Sequence, residues 1–258
     1  MGVVTVFGAG PALGLSVARR FGSAGLSVAL VSRTERKLAA YVKTLAGEGI
    51  RAEAFPADLA DHAGVASVVE RITRRLGPLE VAYYGPDGLG TSVSATLDVE
   101  PELLREQLAF NLLSPVAVAR AVWPAMAESG TGSLLYALGM ASKYPEPMTG
   151  SVGLAQAALR NHLHALHREL TPRGVYVGAL LIGDLIERSA AAALVDADPE
   201  GLPVDGADGL VMDRVDPDRL AEALWDMHMR RDEVEVEIGS PTLRRKTDEL
   251  PASGAVSG

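Results

Sequence analysis

Val3-Val4-Thr5-Val6-Phe7, followed at once by Gly8-Ala9-Gly10-Pro11-Ala12-Leu13-Gly14, is the stretch that decides the fold. Five β-branched or aromatic residues in a row read as a strand buried on both faces. The stretch after the glycines reads as a helix over 13–24. A strand–glycine turn–helix unit offers backbone N–H groups and the positive helix end to a bound anion, the arrangement that cradles a dinucleotide pyrophosphate. Gly8 permits the tight turn, and Ala12 and Gly14 are small enough for close approach of phosphates and of helix to sheet. Gly8, Gly10, Ala12, Leu13 and Gly14 are therefore candidate cofactor-binding residues.

Outward from this unit, short β-branched runs alternate with longer helical stretches. Strands are expected at 2–7, 26–32, 50–55, 79–84, 132–138, 174–181 and 233–238. Helices are expected at 13–24, 34–47, 61–76, 101–128, 149–170 and 216–230, with Pro124 placed to kink the fourth. This alternation predicts an α/β Rossmann fold: one domain over 1–240, a doubly wound parallel sheet of about seven strands, helices on both faces. The segment 190–214 turns Ala-rich, then acidic with Gly and Pro, and reads either as a cover over the carboxyl edge of the sheet or as a long surface loop. The small, polar residues of 241–258 read as a disordered tail.

The chain has 258 residues, 48% of them apolar, enough for a substantial core. A net charge of −9 argues against nucleic acid or an anionic membrane as partner. There is no cysteine, so neither disulfides nor thiolate chemistry are available. Met1 leads directly into the first strand, without a basic flank or cleavage pattern, and the expected location is cytoplasmic. His162, His164 and His167 share a helix but spread around it, so no metal site is expected. Glu35-Arg36-Lys37 and Arg244-Arg245-Lys246 read as ordinary charged runs.

The second expected strand ends in Ser32-Arg33. An acidic residue about 20 positions after the glycines would hold a ribose 2′-hydroxyl. Arg33 with Ser32 beside it suits a 2′-phosphate instead, through charge-assisted hydrogen bonds. The expected cofactor is NADP(H).

With these features in place, the chain resembles the short-chain dehydrogenase/reductase family over about 1–240. The resemblance rests on Gly8…Ala12-x-Gly14, on Asp58-Leu59 after the third strand, and on Asn111 in Phe110-Asn111-Leu112. It continues through Ala157-Ala158-Leu159-Arg160, Glu169-Leu170 and Gly174-Val175-Tyr176-Val177. It implies contacts to the adenine from Asp58 and Leu59, and further cofactor contacts from Gly85 and Gln156. It also exposes departures. The family's Asn-Asn-Ala-Gly turn is here Tyr84-Gly85-Pro86-Asp87, its Pro-Gly-x-x-x-Thr is Ile182-Gly183…Glu187, its catalytic serine falls on Gly139, and its Tyr-x-x-x-Lys falls on Val152…Gln156. The six tyrosines and four lysines form no Tyr-x-x-x-Lys anywhere. Valine and glycine offer no proton, and neutral glutamine cannot stabilise a phenolate by charge. Asn111, Lys143 and Tyr144 are the replacement catalytic candidates; Tyr84, Tyr136, Asp184 and Glu187 are further polar groups expected near the carboxyl ends of strands.

Three functions stand side by side at this point. One is a non-standard reductase of a small metabolite. Another is a non-redox enzyme on the same scaffold, for dehydration, ring opening or cyclisation. The third is a non-catalytic partner or ligand sensor, in which bound NADP(H) is vestigial. The resemblance implies a homo-oligomer, a dimer or tetramer, with a heteromer containing an active relative as the variant for the third function.

Overall fold

Apolar residues on both sides of each central strand require cover on both faces, and the computed structural model supplies it. The structure describes residues 2–86, 93–197, 210–211, 213–241 and 244–245. In chain order the elements are β1 (Val3–Phe7), α1 (Leu13–Ser23), β2 (Ser27–Ser32), α2 (Glu35–Gly47), β3 (Ala52–Pro56), α3 (Val65–Leu76), β4 (Leu79–Tyr84), α4 (Pro101–Leu108), α5 (Ser114–Ser129) and β5 (Gly132–Gly139). There follow α6 (Gly150–Leu170), β6 (Val175–Ile182), β7 (Leu185–Ile186), α7 (Ala190–Ala197), β8 (Leu210–Val211), β9 (Arg214–Val215), α8 (Pro217–Arg230), β10 (Glu235–Ile238) and β11 (Arg244–Arg245).

Seven strands form one sheet in the order β10-β6-β5-β4-β1-β2-β3, with every pairing parallel. Successive side chains on a strand point to opposite faces. Val3 and Phe7 accordingly join α3, α5 and α6 in one core, and Val4 and Val6 join α1, α2 and α8 in the other. The strand order reverses between β1 and β4, and in open α/β sheets such a switch point opens a crevice at the carboxyl ends of the strands.

Several expectations need correction. The expected helix over 101–128 is helical throughout but passes through a π-helical turn, Ala109–Leu113. Pro124 lies inside α5, on its exposed side, and the helix continues past it to Ser129. Within 190–214 the described residues are not a plain loop: α7 occupies the start, and β9 pairs with β7 near the end. The tail was expected to lack structure from 241, yet Arg244 and Arg245 pair antiparallel with Val211 and Leu210. Two-residue strands are too short to leave a periodic signal. Asp87, and all of 198–209 and 246–258, lie outside the described residues.

Candidate functional site

The carbonyl of Phe7, at the end of β1, accepts a hydrogen bond from the N–H of Gly85 just past β4, at 3.1 Å. The crevice opens beside this link. Gly8 has φ +93°, and a Cβ there would collide with the backbone of Pro86, so only glycine fits. Among the described residues, the backbone N–H groups of Ala12, Leu13 and Gly14 donate to no protein acceptor, as expected for the first turn of a helix. No carboxylate occupies that first turn. The helix end is thus free to receive an anion.

Two adjoining cavities run along the carboxyl edge and share Gly8, Gly10, Pro11, Pro86 and Ser189. The outer one, about 470 Å³, is lined by Ser32, Arg33, Asp58 and Leu59. The inner one, about 260 Å³, is lined by Ala12, Leu13, Gly14, Gly85, Gly139 and Gln156. Every cofactor-site residue expected from sequence therefore borders one continuous cleft. Asp58 also closes its own turn, its Oδ1 accepting from Ala60 N–H at 3.0 Å. Arg33 has no partner among the described residues. Lys37, in the first turn of α2, faces the same outer cavity, although the sequence presented it as part of an ordinary charged run.

Arg188, also missed, borders the outer cavity in a left-handed conformation (φ 63°) that non-glycine residues rarely adopt. Its guanidinium is held by Asp216 and Asp218 at the start of α8, at 2.8 and 2.9 Å. Asp218 is tied in turn to the hydroxyl of Ser16 on α1; this hydrogen bond, then Arg188, lowers the carboxyl's pKa. Ser189 caps α7, its Oγ accepting from Ala192 N–H at 3.0 Å, and α7 lays Ala190, Ala191 and Ala193 along the cleft.

At the inner end, carboxamides stand in line. Gln156 Oε1 accepts from Gly139 N–H at 2.8 Å, Gln156 Nε2 donates to Asn111 Oδ1 at 3.3 Å, and Asn111 Nδ2 donates to Gln107 Oε1 at 2.7 Å. Gly139 accommodates this chain, since a Cβ would lie 3.1 Å from Gln156 Oε1. The hydroxyl of Ser142 turns back on the Gly139 carbonyl at 2.7 Å, and half-buried Val152 does not border the cleft. Asn111 sits in the middle of the π-turn. That turn is fixed by the Tyr84 hydroxyl, which donates to the Phe110 carbonyl at 2.8 Å, and by Ser114 Oγ, which donates to the Ala109 carbonyl at 2.9 Å.

Lys143 and Tyr144 are not brought to the cleft. Lys143 Nζ is paired with Glu235 and Glu237 on the outermost strand, β10, and the Tyr144 hydroxyl donates to Glu237 Oε2 at 3.2 Å. Arg160 and His164 converge on Glu235 too, each at 2.7 Å. Burial works to raise the Glu235 carboxyl, but hydrogen bonds from Arg160, Lys143 and His164 outweigh it and hold the pKa down at about 2. His167 Nδ1 lies 2.8 Å from the Val177 carbonyl, so His167 ties α6 to β6 as His164 ties it to β10. Tyr136 is buried outside the cleft, and Glu187 is exposed outside it. Asp184 borders the inner cavity, but its Oδ1 accepts from Ser240 N–H at 2.8 Å. Among the described residues, Tyr83 and Asp184 are the only titratable side chains on the inner wall.

Comparison with known proteins agrees with this architecture. The family model described as short chain dehydrogenase matches residues 2–192. The chain is similar to a short chain dehydrogenase of Pseudocercospora fijiensis, 27% identical over 182 residues, which are 70% of this chain and 58% of that longer protein. It is also similar to an uncharacterised oxidoreductase of Mycobacterium tuberculosis, 29% identical over 199 residues, 77% of this chain and 74% of the relative. Among solved structures, the fold is similar to a short chain oxidoreductase from Pseudomonas aeruginosa that contains an atypical catalytic center and has NADPH bound. The TM-score is 0.77 at 21% identity, over 92% of this chain and 95% of the other. From the glycine turn at Gly8 to the helix that carries Gln156, this chain belongs to the short chain dehydrogenase family.

Proposed function

We propose that the protein binds NADP(H) in the cleft and acts as a non-standard reductase of a small metabolite. The observation that carries this reading is the contrast between the two ends of one cleft. The outer end has Arg33, unpaired among the described residues, with Lys37 on the same wall, and the free N–H groups of α1 lie where the two cavities join; together they fit a 2′-phosphate and a diphosphate. The inner end has Gln156 where the family resemblance places a lysine, Val152 where it places a tyrosine and Gly139 where it places a serine.

A bound nicotinamide supplies a hydride. If that hydride added to a carbonyl carbon, the residues of this chain would have to stabilise the negative charge placed on the carbonyl oxygen until a proton reached it. Gln156, held by Asn111 behind the cleft wall, can orient by hydrogen bonding, but neither carboxamide releases a proton at neutral pH. In this reading the proton comes from water admitted to the cleft. A positioned general acid is typically worth about 10²–10⁴-fold in rate, so reduction of simple carbonyls is slow. The pairing of both Lys143 and Tyr144 with Glu237 favours a second reading, because it keeps both expected substitute acids away from the cleft. In that reading the protein is a dinucleotide-dependent sensor or partner, or a non-redox enzyme.

Titration calorimetry with NADPH and NADH, and NADPH oxidation across aldehydes, ketones and quinones, test the proposal. The expected result is tighter binding of NADPH than NADH, with slow turnover of a narrow set of substrates. Turnover of ordinary carbonyls above about 1 per second would show that an efficient proton donor is present after all. Binding without any turnover would favour the second reading. Absence of binding would overturn both cofactor readings.

A further inference from the structure

Four buried side-chain oxygens have no hydrogen-bond partner among the described residues: those of Thr5, Tyr83, Ser94 and Tyr136. Only Tyr83 borders the cleft. Its ring is completely buried between β1 and β5, on the face covered by α1 and α8. Its hydroxyl lies against Gly85, at the place that a Cβ of residue 85 would fill. Glycine at 85 thus puts no side chain between the buried phenol and the cleft that Tyr83 borders. A buried hydroxyl without a partner costs about 1–3 kcal/mol, which makes an unused one a poor choice for an inner wall that Phe would fill equally well.

We propose that the Tyr83 hydroxyl is a hydrogen-bond donor reserved for an acceptor oxygen of the bound dinucleotide, where that molecule passes Gly85 between the β1 turn and the β4 edge. The inference rests on the cofactor reading above. Burial raises the phenol's pKa far above its ordinary value, so it stays protonated and holds the ligand without surrendering its proton. It is a binding residue and not the missing acid.

Tyr83→Phe keeps the ring and removes only the hydroxyl. Calorimetry with NADPH should show Kd weakened about fivefold to tenfold, the usual effect of one hydrogen bond. Thermal unfolding of the ligand-free variant should show a Tm equal to or above that of the unmodified protein, because an unsatisfied group has been removed. The stabilisation of the variant by saturating NADPH should be smaller. An unchanged Kd in Tyr83→Phe, with normal binding by the unmodified protein, overturns this assignment and leaves the cofactor reading intact. A lower ligand-free Tm with unchanged Kd overturns it too, and shows a purely structural hydroxyl. Failure of the unmodified protein to bind NADPH overturns the cofactor reading and this assignment with it.

Discussion

At the level of single residues, the outer half of the cleft was legible because its chemistry is local. The conformation of Gly8 and the shortness of Ala12 follow from the turn itself, and Arg33 lies at the end of a strand whose register is unambiguous. Lys37 was hidden because an exposed lysine on a first helical turn looks like solvent cover. Lys143 and Tyr144 misled for the opposite reason: their partner Glu237 lies 94 and 93 residues away in sequence, beyond the reach of any local pattern. Arg33→Glu should abolish the preference for NADPH over NADH. The loss of NADPH affinity should reach about 10–100-fold, since a charge-assisted hydrogen bond is worth roughly 1.5–3 kcal/mol. Calorimetry giving equal affinities in the unmodified protein would remove the premise. Gly139→Ser with Val152→Tyr and Gln156→Lys should raise carbonyl turnover if proton supply is what limits it, and stopped-flow NADPH oxidation would measure the gain.

Among the elements, the helices were visible from their periodicity, but the irregularity that positions Asn111 was not. A π-turn is held by tertiary bonds, here from Tyr84 on a neighbouring strand, and the sequence around 109–113 carries no mark of it. Tyr84→Phe should leave the Phe110 carbonyl unpaired and cost about 1–2 kcal/mol, read as a lower urea midpoint with unchanged slope. A second element makes the fold sensitive to acid. His228, near the end of α8, is buried against Phe21 and Trp225, with Nδ1 2.8 Å from the Ser133 hydroxyl. Burial first, and the charge of Arg231 second, depress its pKa from 6.5 to about 4; Glu80, 3.8 Å away and partly exposed, does not reverse this. The neutral imidazole therefore contributes stability that is complete above pH 6.5 and is lost as the pH falls towards 4. The loss is on the order of 3 kcal/mol. Tm measured between pH 7 and pH 4 should fall more steeply for the unmodified protein than for His228→Asn, and parallel slopes would contradict the assignment.

For the molecule as a whole, a parallel sheet of seven strands with helices on both faces followed from the alternation of strand and helix, while the strand order is seen only in the fold. What sequence did not reveal was how its outer edge is secured. The edge strand β10 is fastened through Glu235 by three side chains that precede it by 71 to 92 residues, so it carries bound charge where a bare strand edge would invite further pairing. Apolar residues on α6 and on the π-turn remain uncovered, with Leu154 53% and Leu113 48% exposed. We expect a homo-oligomer that covers them. Light scattering at micromolar concentration should give a dimer or tetramer, and Leu113→Lys with Leu154→Lys should reduce it to monomer; a monomeric unmodified protein would refute the expectation.

The helix whose first turn faces the cleft is covered by the last long helix of the chain. Ser16 and Arg20 of α1 bond to Asp218 and Glu222 of α8, each pair 202 residues apart, and Phe21 packs on Trp225. At roughly 5–20 residues per second, a ribosome takes about 10–40 s to travel that distance. Throughout that interval the newly made α1 can pack on β1 and β2 but lacks the helix that covers its other side. A half-synthesised chain is therefore a client for chaperones before it is a receptor for nucleotide, and codon usage or pausing between these helices will influence yield without altering any residue of the cleft.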